Sequence, residues 1–459
     1  MRRAPSRSGE RSQLRSSCQN RIPIREKQRE GFDMFMLPDE FVAEVLESWL
    51  DCEYWLPLDD ALCAKDQRDR YLRVLAKCEY ASLGLSVGGT YCADLVIRWC
   101  RLRQVSLYKL YASSLFIRRG NFPWKLCSHV VKSLVSLHCV IDTAKMDAWI
   151  CDLLPLVVQL QELHIICKGI VFSSKLFRVL ARHCRSLCEL RLFNLTTSLS
   201  PPVGPLVRNC TQLVALEVFH CVVSDADSAH MCVALSHLSV TNRESENTLT
   251  TLFLSQLLSR CPLLESISVE QGIGAETLYT PYILRKMGAK LKDLTSFTAE
   301  VGKWSPSMFV ALVKGCAQLR EISLCDCNTM SSENIHSLLF SMPHLESLTL
   351  SGHSTYNGTL CGAAPSSGSS LRFLSLIEFT ELTNKGLASI LRNCGNLRAM
   401  SFSSVPSITL NIIDSMVVNC PKLERLYLTR CNTRPYTLTK KRNTLKFSFT
   451  VEIMEPRIC

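Results

Sequence analysis

From the low 100s to the low 430s the chain repeats one hydrophobic phrase: an apolar residue, two variable ones, an apolar, a variable one, an apolar. It stands at Leu187/Leu190/Leu192, Leu213/Leu216/Val218, Leu264/Ile267/Val269, Leu319/Ile322/Leu324, Leu345/Leu348/Leu350, Leu371/Leu374/Leu376, Leu397/Met400/Phe402 and Leu423/Leu426/Leu428. From Leu319 to Leu423 the spacing is four consecutive steps of 26 residues. Weaker copies at Leu134/Leu137/Cys139, Leu160/Leu163/Ile165, Leu238/Val240 and Leu291/Leu294, with an irregular first member near Leu102/Val105/Leu107, make about thirteen units. Alternation after the second leucine puts two side chains of each phrase inward and the residues between them outward, the pattern of a short strand.

A second phrase keeps fixed phase with the first. Apolar residues lie seven, four and three places before a cysteine, as at Leu254/Leu257/Leu258 before Cys261, Phe309/Leu312/Val313 before Cys316, Leu387/Ile390/Leu391 before Cys394 and Ile413/Met416/Val417 before Cys420. That spacing is helical. Ser305-Pro306 offers an N-cap with proline at the first helical position, and Ser331 opens the run to Ile335/Leu338/Leu339. Each unit is thus predicted to be a strand and a returning helix. Pro201, Pro202 and Pro205 in one return, and the Gly/Ser-rich stretch from Ser351 to Ser370 in another, predict loops instead.

A period near twenty-six residues built on this phrase is the leucine-rich-repeat signature. The predicted fold is α/β, a leucine-rich-repeat solenoid, curved, with parallel strands inside and helices and loops outside. Cysteines three residues before the first leucine (Cys184, Cys210, Cys261, Cys316, Cys394, Cys420) and three after the strand (Cys221, Cys327, Cys431) resemble the cysteine-containing subclass known from F-box proteins. Leu382-Thr383-Asn384-Lys385-Gly386-Leu387 is similar to that subclass's entry into its return helix.

Ahead of the repeats, Phe41, Val42, Val45, Leu46, Trp49 and Leu50 mark one face of a helix opened by Pro38 and two acids. The string resembles the start of an F-box through Leu37, Pro38, Glu40, Val45, Leu46 and Leu50, and the resemblance implies that Leu37, Pro38, Val45, Leu46 and Leu50 bind a cullin-RING ligase adaptor. Downstream, Leu58, Leu62 and Cys63 correspond to the next F-box helix, but the tryptophan expected after that cysteine is replaced by the charged run Lys65 to Arg70. The alternative is that this segment caps the exposed first repeat, since solenoid ends need an amphipathic cover. The expected organisation is a basic leader (1–33), a helical F-box-like or capping segment (34–100), the solenoid (101–432) and a C-terminal cap (433–459), in which an alternating stretch runs from Leu445 to Ile453.

Composition changes this picture little. The 24 cysteines fall largely into repeat phase, where a small buried hydrophobe is wanted, so disulfides are not expected. No signal sequence and no apolar run long enough to span a bilayer is read, and a cytoplasmic or nuclear compartment is expected. Of the net charge of +11, more than half lies in the Ser/Arg-rich leader. That leader is read as a solvated tail, or as a gene-model extension ahead of a true start at Met34, with an address or membrane-surface tether as alternatives. The predicted inner-face positions and their neighbours carry six cations against eight acids, Arg191 and Lys292 among the former, which argues against a nucleic-acid groove.

No catalytic or metal-binding constellation is found, so no enzyme activity and no cofactor are expected. Gly272-Ile273-Gly274 lacks its third glycine, and Cys325-Asp326-Cys327 has no second ligand pair. His138, His164, His183, His220, His237 and His344 are read as packing or rim residues. What remains is a protein target held on the concave face, with Arg320, Arg372, Phe373, Arg398, Arg425 and Tyr427 as candidate anchors, rather than a small molecule, membrane or nucleic acid. Two functions fit. One is substrate recognition in a cullin-RING ubiquitin ligase; the other is a repeat scaffold with no ligase connection.

Overall fold

The structure is a computed structural model. It describes residues 38–453 apart from 50–51, 63–64, 76–77, 79–80, 84–92, 114–123, 169–173, 195–202, 221–222, 243–248, 272–277, 303, 353–369, 407, 409 and 432–449. The basic leader, Met34, Leu37, Leu50, Cys63, Pro201, Pro202, Cys221, residues 353–369 of the Gly/Ser-rich stretch and Leu445 therefore lie outside the described residues.

Fifteen strands form one sheet in strict chain order: β1 (Ala81–Leu83), β2 (Leu107–Ser113), β3 (Ser136–Ile141), β4 (Glu162–Cys167), β5 (Glu189–Phe193), β6 (Ala215–Phe219), β7 (His237–Asn242), β8 (Ser266–Gln271), β9 (Ser296–Glu300), β10 (Glu321–Cys325), β11 (Ser347–Ser351), β12 (Phe373–Ile377), β13 (Ala399–Ser403), β14 (Arg425–Thr429) and β15 (Thr450–Ile453). Every neighbouring pair is parallel, as βαβ-type returns require. Three helices precede the repeats, α1 (Asp39–Trp49), α2 (Cys52–Ala61) and α3 (Lys65–Leu75). Among the described residues twelve return helices follow: α4 (Ala93–Arg103), α5 (Ser128–Val131), α6 (Ala144–Leu153), α7 (Ser174–His183), α8 (Gly204–Asn209), α9 (Asp225–Ser228), α10 (Thr251–Arg260), α11 (Pro281–Lys290), α12 (Pro306–Gly315), α13 (Ser332–Phe340), α14 (Asn384–Asn393) and α15 (Leu410–Asn419). Helices need about 8–10 Å between axes and strands only about 4.8 Å, so a sheet with helices on one side curls away from them.

The expected fold stands, with local corrections. Leu102 is 78% exposed on α4, and the first complete phrase is Leu107/Leu110/Ala112, all buried. Near residue 290 the phrase is Leu294/Phe297/Ala299, not Leu291/Leu294, because Leu291 occupies the position cysteine takes elsewhere, closing α11. Large Phe297 and small Ala299 compensate, and Tyr279 and Trp304 pack on Phe297 at 5.3 and 6.3 Å between ring centroids. Pro205 does not prevent a helix; it sits in the first turn of short α8, where its missing N–H costs nothing. The sheet also runs past the expected solenoid limits at both ends, since β1 pairs with β2 and β15 with β14.

Helix starts follow from the caps. The hydroxyls of Thr143, Thr280, Ser331 and Thr383 accept from the N–H groups of Met146, Ile283, Asn334 and Gly386 at 3.1–3.3 Å. Helix ends are closed by the cysteine column. Cys184, Cys210, Cys261, Cys316, Cys394 and Cys420 are buried, and four of these thiols donate to carbonyls of the preceding repeat: Cys210 to Cys184 at 3.3 Å, Cys261 to Cys232 at 3.2 Å, Cys316 to Leu284 at 3.6 Å and Cys420 to Cys394 at 3.6 Å. A thiol is small enough for the spine and supplies a weak donor where a helix leaves carbonyls without intrahelical partners. Strand ends share another device. Asn194, His220, Asp326, Glu378, Ser404 and Arg430 each take positive φ immediately after a strand, and the Asn194, His220, Glu378 and Ser404 N–H groups donate to the next repeat at 2.8–2.9 Å.

The helical segment is joined to the repeats. Val42, Leu46, Trp55, Tyr71 and Val74 are fully buried in it, and Tyr71 Oη donates to the Trp55 carbonyl at 2.7 Å. The charged run that departs from the F-box pattern is the outer face of α3: Arg70 pairs with Asp39 of α1 at 2.8 Å and Arg68 with Asp59 of α2 at 3.2 Å. Asp59, 2% exposed, also receives Trp99 Nε1 at 3.0 Å and Arg103 Nη2 at 2.6 Å, both from α4. Burial pushes its carboxyl up, but the Trp99 and Arg103 donors and the arginine charges outweigh it and hold the group below the usual carboxylate range.

Two outcomes are expected. Asp59→Ala strands Arg103 and the Trp99 N–H and costs about 3 kcal/mol, so limited proteolysis should open α1–α3 while the later repeats stay protected. Burial raises Cys184, Cys210, Cys261, Cys316 and Cys420 to about 12. The folded chain thus keeps protons that the unfolded chain releases. Their contribution is intact below the ordinary cysteine value of about 8.5 and is lost as pH climbs toward about 12. The urea midpoint should fall across that window, less steeply in Cys210→Ala/Cys261→Ala, and iodoacetamide at pH 8 should spare the column while modifying half-exposed Cys188 and Cys325.

Candidate protein-binding face

Strand alternation decides which side chains can meet a partner. Each of β2–β14 turns two or three apolar residues into the space under the helices, for example Leu190 and Leu192, and leaves three in-register positions on the uncovered face. In register, these positions form three rows running across the sheet.

The middle row changes character along the solenoid. It begins with Tyr111, His138, His164, Arg191 and Glu217, and continues over β7–β13 as Ser239, Ser268, Thr298, Ser323, Thr349, Ser375 and Ser401 before reaching Tyr427 on β14. Seven consecutive small hydroxyl residues make a shallow floor between two bulkier ends. The row at the strand ends reads Val140, Ile166, Phe193 and Phe219 on β3–β6, where the following strands carry Thr241, Glu270, Glu300, Cys325 and Ser351. Over β2–β14 the charges on the uncovered face are Lys109, Arg191 and Arg425 against Glu162, Glu189, Glu217, Glu270, Glu300 and Glu321, so this face is acidic on a chain whose net charge is +11.

At the N-terminal end the side chains are closely ordered. Tyr111 and His138 lie 4.5 Å apart between ring centroids and His138 and His164 3.9 Å. His164 Nε2 meets Glu189 Oε1 at 2.8 Å, and Arg191 Nε lies 2.6 Å from Glu189 and 3.6 Å from Glu217. Burial, with the neighbouring His164 charge second, lowers His138 to about 4 despite Glu162 and Glu189. Burial opposes the Glu189 charge, but the His164 and Arg191 contacts prevail and keep its carboxyl low.

The anchors predicted at the C-terminal end are arranged differently. Arg320, Arg372 and Arg398 precede their strands and stand exposed on the rim, where Arg320 and Arg372 share Glu346 at 3.0 and 3.2 Å and Arg398 meets Glu424 at 3.5 Å. Exposed pairs of this kind contribute about 0–1 kcal/mol. Phe373 and Arg425 lie in one row with Ala399 between them, and Ser401 and Tyr427 adjoin in the next, so Phe373, Arg425 and Tyr427 frame a floor of small residues. In the helical segment Leu46 is fully buried, Val45 is half-buried and Pro38 is exposed. Among its described side chains the large exposed apolar ones are Phe41 and Tyr54, each 50% exposed. Among the described residues no group of three or more His, Cys, Asp or Glu is placed to hold a metal ion, and no helix is long and apolar enough to cross a membrane.

The apolar and histidine-rich end was missed from sequence, although its signal was present: four consecutive copies carry Val140, Ile166, Phe193 and Phe219 directly after the third apolar residue, where other copies carry mostly Ser, Thr or Glu.

An unbroken parallel ladder, one strand per repeated phrase and helices on one side only, defines a leucine-rich-repeat solenoid. No family model and no curated protein matches the chain. Among solved structures it is similar to the Rad7 and Elc1 complex of yeast, at 15% identity and a TM-score of 0.44 over 90% of this chain and 91% of that one. It is also similar to the leucine-rich repeat-containing protein LegL7 of Legionella pneumophila (12%, 0.40, 69% and 99%) and to an internalin of Listeria monocytogenes (15%, 0.35, 80% and 91%).

The His138 assignment predicts an NMR titration in which this imidazole stays neutral until pH nears about 4. Below the unfolded value of about 6.5 the unfolded chain takes up the proton first. The stability held by neutral His138 is therefore intact above that pH and is lost as pH falls toward about 4. A midpoint near 6.5 for this ring would contradict the stacked, half-buried site.

Proposed function

We propose that this chain is a protein-recognition module that holds a target protein on its concave face. The observation that carries this proposal is the ordered array of non-core side chains on the one face the helices leave bare, about 65 Å long at about 4.8 Å per strand. A surface of that length, mixing aromatic, apolar, hydroxyl and acidic positions, suits a macromolecular partner better than a metabolite, which needs a closed concave pocket.

In the finer proposal the helical segment docks a cullin-RING ligase adaptor, so that the target is presented for ubiquitin transfer. Support comes from the F-box-like string and from its placement immediately before cysteine-phased repeats. The second reading, a scaffold whose helical segment is a cap, is favoured by the Asp59 cluster and by burial of Leu46 within the segment itself.

The two are separated by reciprocal affinity purification of the parent chain and of Phe41→Asp/Val45→Asp, which alters exposed Phe41 and half-buried Val45 and spares buried Leu46. Ligase recognition predicts that cullin and adaptor co-purify with the parent and are reduced about tenfold or more with the variant, a loss of about 1.4 kcal/mol, while the thermal midpoint is kept. Absence of both from the parent purification contradicts the ligase assignment and leaves the scaffold.

A further inference from the structure

We infer that the stripe Val140, Ile166, Phe193 and Phe219 docks an amphipathic helix of a partner protein, its apolar face on the stripe and a basic flank over the carboxylates of β4–β6. This rests on the concave-face reading and names the part of that face and the chemistry of its occupant. The four side chains are direct lateral neighbours on four consecutive strands, Val140 beside Ile166, Ile166 beside Phe193 and Phe193 beside Phe219. Ile166 and Phe219 are 36% and 38% exposed, and the Phe193 and Phe219 rings lie 6.0 Å apart. They are not spine residues, since the spine on these strands is already complete with Leu163/Ile165, Leu190/Leu192 and Leu216/Val218. Apolar side chains aligned in water, bordered by polar ones, mark an interaction site.

Geometry selects the occupant. The stripe crosses the strands at right angles and spans about 14 Å, close to the 15 Å rise of about ten helical residues. Side chains three and four apart on a helix advance about 4.5–6 Å, matching the strand spacing of about 4.8 Å, whereas alternate residues of an extended peptide advance about 6.8 Å. Strand addition is unavailable, because β3–β6 are hydrogen-bonded on both sides.

Charge selects its flank. On β4–β6 the same face carries Glu162, Glu189 and Glu217 against Arg191, which is already engaged by Glu189 and Glu217, while Glu162 makes no ion pair among the described residues. Glu217 lies two residues from Phe219 on β6, and Glu162 four from Ile166 on β4, so all the carboxylates fall on one side of the stripe. Lysine or arginine on that flank of the helix finds a net acidic rail, and acidic residues there are repelled.

The test uses the full chain and two fluorescent model peptides of about four helical turns with the same leucine face, one flanked by lysine and one by glutamate. The lysine peptide is expected to bind about tenfold or more tightly than the glutamate peptide. Phe193→Ser/Phe219→Ser should weaken it about tenfold or more, and Glu162→Gln/Glu217→Gln should shrink the preference for lysine. Phe373→Ser/Tyr427→Ser, at the far end of the same face, should leave binding unchanged. No binding up to about 1 mM, or equal affinity for both peptides, overturns the inference. Loss of binding only in Phe373→Ser/Tyr427→Ser overturns it but leaves the concave-face reading standing. Binding unchanged in both aromatic variants overturns both.

Discussion

The structure depends on one constraint: a strand and its return helix cannot bury their apolar stripe alone, so every repeat is completed by its neighbours. Leu190, Leu216 and Leu238, like Leu348, Leu374 and Met400, are partners in register across successive strands and are buried to within 2%. Hydrophobic burial is non-directional, so it supplies the drive to stack but not the register. Register comes from directional contacts: the strand ladder in every repeat and, in several repeats, the thiols reaching back to a helix end and the residue of positive φ reaching forward to the next strand. The ends face the same constraint. On the N-terminal side α2 is tied to α4 through Asp59, and at the other end of the sheet β15 pairs with β14.

Once the spine and the helices have used one side of the sheet, the other side is free to vary without cost to the fold. That freedom shows in the middle row, which passes from aromatic and histidine side chains through seven hydroxyls to Tyr427 while the spine beneath stays apolar throughout. Charge is partitioned as well. The basic excess lies elsewhere on the chain, and the uncovered strand face is acidic, which supports the proposed protein target over a nucleic acid. A stripe of apolar residues beside carboxylates on β3–β6 and a framed floor of small residues near Phe373 and Tyr427 are the two chemically different surfaces on which the proposed target recognition would draw.

Much of the fold was legible because the core positions obey a strict period. Where the period slipped, near Leu102 and Leu291, residue type alone could not show that one leucine was on a helix surface and the other had replaced a cysteine. Pro205 misled because proline is equally compatible with a loop and with a first helical turn. The candidate site was less legible, since partner-binding positions follow no period and are defined by which strands are adjacent. Arg320, Arg372 and Arg398 looked like anchors in sequence, but each lies one residue before its strand and engages a rim glutamate. The F-box-like string marked a helix correctly, whereas only packing shows that Leu46 faces the segment's own core.

The claim that repeats are stable only through shared interfaces is tested most directly by native-state hydrogen exchange on Leu324→Ala, which removes one spine side chain from β10. Loss of a buried leucine costs about 2–5 kcal/mol. The account predicts that amide protection falls most in β10, falls also in β9 and β11, and recovers toward β3 and β14. Protection lost in β10 alone, or lost equally along the whole sheet, would contradict it.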